Sequence, residues 1–152
     1  MRGPEQIENA SLADILETIT KAVFQGGMSW RVVEAKWPGF REAFHGFDPH
    51  RVAALTPDDV DRLKEDTRII RNGRKIEATV HNAEAVVALD QDTPGGIRGW
   101  LGSRGGFEHT IDAMRKEFKF LGDMGAYHVL HVIGEPVPDH EDAMHLLAAR
   151  KR

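Results

Sequence analysis

The feature that most constrains the fold is an apolar pattern with the period of an α-helix between Asn72 and Leu89. Its apolar positions share one face over roughly five turns of about 3.6 residues each. The residues on this face are Ile76, Val80, Ala83, Val86 and Val87. A second helix is predicted after Ser11, which has the spacing of a capping box with Asp14. No stretch alternates between apolar and polar residues as a strand does, so the chain is predicted to be all-α.

Caps and breaks divide the rest of the chain into short helices, for a total of about seven to nine. Further predicted caps or helix starts lie at Ser29, Pro38, Asp48, Thr56, Glu108, Asp123 and Asp139. The helix that begins after Ser29 is predicted to end at the break between Trp37 and Pro38. Residues 90–106 contain several glycines and a proline, which predicts the longest loop of the chain.

Length and composition predict one helical domain over residues 1–152, in which the first ten residues and the last few are loose ends. Hydrophobic residues make up 41% of the chain, which is enough for a core, and no apolar run has membrane-spanning length. We therefore expect a cytoplasmic protein without a membrane contact. Cysteine is absent, which excludes disulfides and thiolate metal sites. With a net charge of −4, any nucleic-acid contact must come from a local basic patch.

Three segments stand out by their order and spacing, at residues 25–30, 69–76 and 118–122. They read Gln-Gly-Gly-Met-Ser-Trp, Ile-Ile-Arg-Asn-Gly-Arg-Lys-Ile and Phe-Lys-Phe-Leu-Gly. Together with the block at residues 44–83, they resemble the 3-methyladenine DNA glycosylase I family of the helix-hairpin-helix glycosylase superfamily. The resemblance implies a compact helical bundle that binds double-stranded DNA and turns an alkylated base out of the duplex. It also implies monofunctional hydrolysis of the N-glycosidic bond of alkylated purines such as 3-methyladenine.

The hairpin at residues 118–122 is the DNA-binding part that the resemblance implies. A tight turn at Gly122 would aim backbone N–H groups, at the mouth of a helix, toward a phosphate. The nearby cations predicted to contact the DNA are Lys119, Arg71, Arg74 and Lys75. The residues themselves leave open the alternative that these are ordinary solvated charges.

Aromatic and polar residues near these segments are candidates for the pocket of the flipped base. The resemblance places Trp30 against the base, with Tyr127 and His128 beside it. As alternatives, Trp30 is a core residue and Tyr127 a buried one bonded to a backbone carbonyl. Asp139 lies close to the position at which the superfamily carries a catalytic aspartate. In that role its carboxylate would stabilise the sugar cation and orient water. Its alternative role is the N-cap of the last helix, with Asp142 completing a capping box.

The sequence departs from the family at several positions. Ala22 replaces a glutamate that contacts the alkylated adenine, and neither Glu17 nor Glu34 has the helical spacing to replace it. Met124 stands where bifunctional relatives carry a Schiff-base lysine, so no lyase step is expected. Of the family's zinc ligands only His140 is retained, so no metal and no other cofactor is expected.

Because the family glutamate is replaced, two further functions stay open. One is a catalytically inactive module that keeps the glycosylase fold and binds DNA or lesions. The other is a helical-bundle interaction protein without a nucleic-acid role, which the acidic net charge favours.

Overall fold

In the computed structural model, which describes residues 6–150, the chain forms nine α-helices and one short 3-10 helix. The α-helices are α1 (Leu12–Gln25), α2 (Trp30–Ala43), α3 (Pro49–Ala53), α4 (Pro57–Leu63), α5 (Gly73–Asp92), α6 (Gly96–Gly102), α7 (Phe107–Glu117), α8 (Asp123–Val132) and α9 (His140–Ala149). The 3-10 helix, His45–Phe47, lies between α2 and α3. Within this part of the chain there is no strand, and no helix is long and apolar enough to span a membrane. The prediction of an all-α protein with seven to nine helices is confirmed.

Helix α1 is central to the core because its apolar face packs against α5 and α8. It begins with the predicted capping box, in which the Ser11 hydroxyl accepts from the Asp14 N–H at 3.1 Å and the Ser11 N–H donates to the Asp14 carboxylate at 2.9 Å. Its buried residues are Ile15, Leu16, Thr18, Ile19, Thr20, Val23 and Phe24. Helices α1 and α8 approach closely at Gly125, where an added Cβ would lie 3.5 Å from that of Ala22. This packing brings the end of α1 beside the start of α8.

Helix α2 continues through Pro38, so the predicted break between Trp37 and Pro38 is wrong. Proline removes one helical hydrogen bond, the one to the Glu34 carbonyl, while tertiary contacts hold the residues around it. Trp37 stacks on Phe40 with ring centroids 4.7 Å apart, and both rings are buried. The Trp37 indole N–H donates to Glu17 at 2.7 Å. Burial of this aromatic face outweighs the tendency of proline to end a helix.

A short helix, α6, occupies much of the predicted loop at residues 90–106, so that prediction is also wrong. Ile97, Trp100 and Leu101 are buried and have the spacing of one helical face. Packing also requires Gly99, because an added Cβ would overlap the Pro94 carbonyl oxygen. Burial of three large side chains therefore compensates for the poor helix propensity of the glycines.

The described part of the predicted loose N-terminus contacts α8. The Ile7 N–H donates to the Val132 carbonyl at 2.8 Å, and the Gln6 side-chain amide donates to the His131 carbonyl at 3.1 Å. At the other end, Arg150 forms ion pairs with side chains of α7 and α8. Residues 1–5 and 151–152, which belong to the same prediction, lie outside the described residues.

Candidate functional site

Two adjoining cavities open beside the end of α1 and the start of α8. The larger extends to the segment that leads into α9, and the smaller extends to the hairpin and Arg150. The larger has a volume of about 1030 Å³ and the smaller about 480 Å³. They share four lining residues, Ala22, Gly26, Met124 and Gly125. The predicted pocket residues that line the larger cavity are Tyr127, His128 and Asp139, and Gly122 lines the smaller one. The structure therefore brings three of the four predicted pocket residues together, beside the Gly122 turn.

Tyr127 is buried in the wall of the larger cavity, where other rings fix its orientation. Phe107 meets it edge-on, with ring centroids 6.0 Å apart. His131 lies nearly parallel to it at 6.3 Å, and His140 is tilted against it at 6.3 Å. Packing against these neighbouring rings, rather than contact with solvent, sets the position of the tyrosine side chain.

His128, one residue further along α8, is a half-buried histidine of the same cavity. Burial lowers its pKa, and the nearby charges of His131 and Lys21 lower it further. The imidazole is therefore neutral near pH 7, so that one ring nitrogen donates a hydrogen bond and the other accepts one. Such a group can bind the edge of a base without adding positive charge to the cavity.

Asp139 serves both as a helix cap and as part of the cavity wall. Its carboxylate accepts from the Asp142 N–H at 3.0 Å, which is the predicted N-cap interaction of α9. The Asp142 carboxylate does not return a bond to the Asp139 N–H, so the predicted capping box is incomplete. Another acidic side chain of this wall, Glu135, is mostly buried and accepts from Arg98 at 2.7 Å. Both carboxylates thus already have hydrogen-bond partners within the protein.

Trp30, the predicted base-stacking residue, lies outside the described walls of both cavities. It begins α2 and is 65% exposed, so the alternative that it is a core residue is wrong. Gly26, four residues earlier, lines both cavities. Trp30 therefore lies four residues beyond a residue of the cavity wall, and its indole ring is exposed.

Ala22 gives both cavities an apolar wall at the position where the resemblance implies a glutamate. The two glutamates of this region are engaged elsewhere. Glu17 accepts from Arg41 at 2.6 Å, and Glu34 pairs with Lys21 at 2.5 Å. Neither glutamate lines either of these two cavities, as the helical spacing predicts.

The hairpin before α8 is held by Asn82, a buried residue of α5 that the sequence prediction did not single out. The Asn82 amide N–H donates to the Lys119 carbonyl at 3.2 Å, and its oxygen accepts from the Lys119 N–H at 2.8 Å. Phe118 and Leu121 are buried, whereas Phe120 is exposed. The signal that could have found Asn82 is an asparagine beside the apolar face of a predicted helix.

Asp123 does not cap α8, and the prediction that it does is wrong. Gly122 takes the cap position and Asp123 is the first helical residue. The Asp123 carboxylate is buried and pairs with Arg115 at 2.8 Å and with Arg150 at 3.4 Å. Arg150 also pairs with Glu108 of α7 at 3.6 Å. These ion pairs fix the start of α8 to α7 and to the end of α9.

The basic residues predicted to bind DNA differ in their surroundings. Lys119, Arg71 and Arg74 are exposed, and none of them forms an ion pair with another residue in the range 6–150. The pKa of Glu77 is lowered first by its hydrogen bond to Lys64 and further by the charges of Lys119 and Arg74. Lys119 and Arg74 therefore both lie near Glu77, whose ion pair is with Lys64.

Lys75 is a correction to the predicted DNA-binding set, because its ammonium group points into the protein. The side chain is buried, and its Nζ donates to the carbonyls of Gly26 at 2.7 Å and Phe24 at 3.4 Å. Burial lowers the pKa of this lysine. A positive charge at the C-terminal end of a helix stabilises the free carbonyls there. Lys75 therefore holds the end of α1.

The zinc that the resemblance implies does not fit the residues present. The chain has no cysteine. In the described range, no three histidine, aspartate or glutamate side chains are grouped in a way that could hold a metal ion. His140, at the retained family position, packs beside Tyr127 in the cavity wall.

Comparison with known proteins relates this arrangement to one family. The model of the family described as methyladenine glycosylase matches residues 8–103. The DNA-3-methyladenine glycosylase 1 of Escherichia coli (strain K12) is 44% identical over 68 residues, which are 45% of this chain and 36% of that protein. The chain thus matches about a third of the length of this curated relative.

Similar solved structures support the same family assignment. A crystal structure of 3-methyladenine DNA glycosylase I has a TM-score of 0.72 at 29% identity, covering 84% of this chain and 81% of that one. A variant of 3-methyladenine DNA glycosylase I in complex with 3-methyladenine has a TM-score of 0.71 at 25% identity, covering 87% of this chain and 80% of that one. The resemblance and the helical architecture expected from it are confirmed. The chain belongs to the methyladenine glycosylase family.

Proposed function

We propose that this protein is a monofunctional DNA glycosylase that hydrolyses the N-glycosidic bond of alkylated purines, such as 3-methyladenine, in double-stranded DNA. The observation that carries the proposal is the larger cavity, where Tyr127, His128 and Asp139 meet. Family membership supports the same reaction class, and a structural neighbour was solved in complex with 3-methyladenine. An enzyme of this type must turn the target nucleotide out of the duplex to reach its bond.

The proposed DNA contact is the Gly122 turn at the start of α8. The φ angle of Gly122 is −91°, which any residue adopts, and no atom lies within 4 Å of an added Cβ. The fold itself therefore does not require glycine here, whereas close approach of a phosphate to the backbone favours it. Lys119, Arg71 and Arg74 would attract neighbouring phosphates.

In the proposed reaction the flipped base enters the larger cavity and Trp30 stacks on it from the cavity edge. Tyr127 and the neutral His128 form hydrogen bonds with the base. The carboxylate of Asp139 stabilises the positive charge that develops on the sugar and orients the attacking water. A cationic alkylated purine is already a good leaving group, so stabilisation of the sugar is the main chemical requirement.

The alternative is a catalytically inactive module that binds DNA or lesions through the same surface. Ala22 favours it, because the part of the wall that α1 forms offers no carboxylate to a cationic base. The capping bond of Asp139 favours it as well. The two functions share the DNA-binding step and differ in bond cleavage.

Cleavage is tested with methylated duplex DNA, by measuring released 3-methyladenine and new abasic sites. We expect release by the wild-type protein and a rate lower by about tenfold or more in Trp30→Ala, because it loses a stacking contact with the base. Val32→Ala changes another exposed side chain of α2 and should keep the activity. If no 3-methyladenine is released even with protein in excess over DNA, the catalytically inactive binding module is the remaining function.

Asp139→Asn separates catalysis from capping, because asparagine is as good an N-cap as aspartate but carries no charge. We expect an unchanged free energy of unfolding and a release rate lower by about 100-fold. Asp139→Ala should also lose about 1 kcal/mol of stability with the cap. Equal release by the wild-type protein and Asp139→Asn would remove Asp139 from the mechanism.

DNA binding is tested separately, by the dependence of affinity on salt concentration. A protein that contacts several phosphates loses affinity steeply as salt rises, because binding releases counterions. We expect that steep loss for this protein. A flat or absent response would contradict both functions and favour an interaction protein without a nucleic-acid role.

A further inference from the structure

Phe120 combines two features that the fold does not use, backbone strain and exposure of an aromatic ring. Its φ angle is +61°, in the left-handed region that is unfavourable for a bulky side chain and favours glycine. Its side chain is 55% exposed. Glycine at this position would remove the strain and the exposed apolar surface together. A residue that is unfavourable for folding in both respects indicates a contact with a partner.

The hairpin presents this ring in a fixed position. The preceding residue, Lys119, is bonded through both of its backbone polar groups to the side chain of Asn82. The following residue, Leu121, is packed into the core. Because the backbone is held on both sides, the Phe120 ring projects from a rigid turn rather than from a loose loop.

Phe120 lies where the proposed DNA contact and the proposed base pocket meet. It lines the smaller cavity together with Gly122, in the turn proposed to bind a phosphate, and with Gly26, four residues before Trp30. Met124, also exposed, belongs to the same wall. An apolar ring at this place has little to offer a phosphate, but its flat face matches the face of a base.

We propose that Phe120 stacks on the duplex base that loses its neighbour when the target nucleotide is turned out. The inference rests on the proposed function, since it requires DNA at the hairpin and a flipped nucleotide. Removing a nucleotide from the stack exposes the apolar face of the next base, and an inserted aromatic ring covers that face. Phe120 then stabilises the flipped state, whereas Lys119 and Gly122 contribute to binding of any duplex.

The test compares affinities for two duplexes of the same sequence, one intact and one with a central abasic-site analogue that opens the same gap. Phe120→Gly and Phe120→Ala both remove the ring. We expect each variant to bind the gapped duplex about tenfold more weakly, the size of one lost stacking contact, and the intact duplex almost as wild type. The slope of log affinity against log salt concentration should not change, because no phosphate contact is removed.

Lys119→Ala is the matched control, one residue earlier in the hairpin. It should weaken binding of both duplexes equally and reduce the salt slope by about one. Thermal unfolding measures separately how the two Phe120 variants change the stability of the protein. Phe120→Gly should unfold at a higher temperature than Phe120→Ala, because only glycine relieves the positive φ, although the two variants bind DNA alike.

Equal weakening of both duplexes by the Phe120 variants would overturn the inference in favour of a contact with the sugar-phosphate backbone. Unchanged binding of the gapped duplex would overturn it as well. Both results leave the proposed function in place, provided that the wild-type protein binds DNA with a salt-dependent affinity. A wild-type protein that binds neither duplex would overturn the proposed function and this inference together.

Discussion

The hairpin before α8 and the end of α1 both border the smaller cavity, yet different chemistry holds each in place. Asn82 holds the hairpin through a neutral amide that pairs with both backbone polar groups of Lys119. Lys75 holds the end of α1 through a buried ammonium group bonded to two carbonyls. The two anchors, Lys75 and Asn82, are seven residues apart on α5 and therefore share one face, about two turns apart. One helix thus positions both segments of the proposed DNA-binding surface.

The difference shows how each anchor matches the backbone that it holds. The end of α1 offers carbonyl groups only, whose partial negative charge favours a cation. The hairpin offers one donor and one acceptor, which an amide satisfies and an ammonium group does not. The charged anchor carries a desolvation penalty that lowers its pKa, whereas the amide does not titrate. The bonds of Asn82 to the hairpin are therefore themselves independent of pH.

Asn82→Ala should have the largest effect. It leaves the Lys119 N–H and carbonyl without their partner, so we expect a loss of about 1–3 kcal/mol in the free energy of unfolding, measured by urea denaturation. The Lys119 amide should exchange with solvent much faster, while the amide of Leu130 within α8 keeps its protection. His81→Ala changes a more exposed contact, to the Glu117 carbonyl just before the hairpin, and serves as control that should lose less. A wild-type stability in Asn82→Ala would show that the hairpin holds without its anchor.

Lys75→Met should lower the stability by less, about 1 kcal/mol, because removal of a buried charge partly offsets the lost hydrogen bonds. The salt slope of DNA binding should not change, since the ammonium group faces the protein. Arg74→Met alters the preceding, exposed residue and is the matched control, with unchanged stability and a salt slope reduced by about one. A reduced slope in Lys75→Met would restore the DNA-binding role predicted from the sequence.

The smallest expected effect is a pH dependence that only the charged anchor carries. The pKa of Lys75 in the folded protein lies below the ordinary value of 10.5, so between these two values the folded state binds fewer protons than the unfolded state. The contribution of Lys75 to the free energy of unfolding is least favourable below the folded pKa. It rises as the pH increases from there toward 10.5. Urea midpoints over this range should show the rise in Asn82→Ala but not in Lys75→Met. Parallel curves for the wild-type protein, Asn82→Ala and Lys75→Met would contradict this pH dependence.

Much of the fold could be predicted because its signals are local. The capping box at Ser11 and the N-caps at Thr56 and Asp139 form as their spacing predicts, since each joins residues within one helical turn. The resemblance to a family extended the prediction from helices to a bundle. It also singled out Tyr127 and His128, which line one cavity with Asp139.

The remaining features depend on contacts between distant segments, which local spacing does not encode. Lys75 reads as one more surface cation because its carbonyl partners precede it by 49 and 51 residues. Asp123 reads as a cap because one of its arginine partners, Arg150, follows 27 residues later. Helix α6 reads as a loop because its glycines are local, whereas the burial of Trp100 is a property of the assembled core.

The positions of the two anchors on α5 limit how this protein can change in length. One residue inserted between Lys75 and Asn82 would turn Asn82 by about 100° around the helix axis and shift it by about 1.5 Å along it. Either the hairpin or the end of α1 would then lose its attachment. A residue added near Asp92, beyond both anchors, would leave their alignment unchanged. Insertions and deletions should therefore be tolerated at the C-terminal end of α5 and not between Lys75 and Asn82.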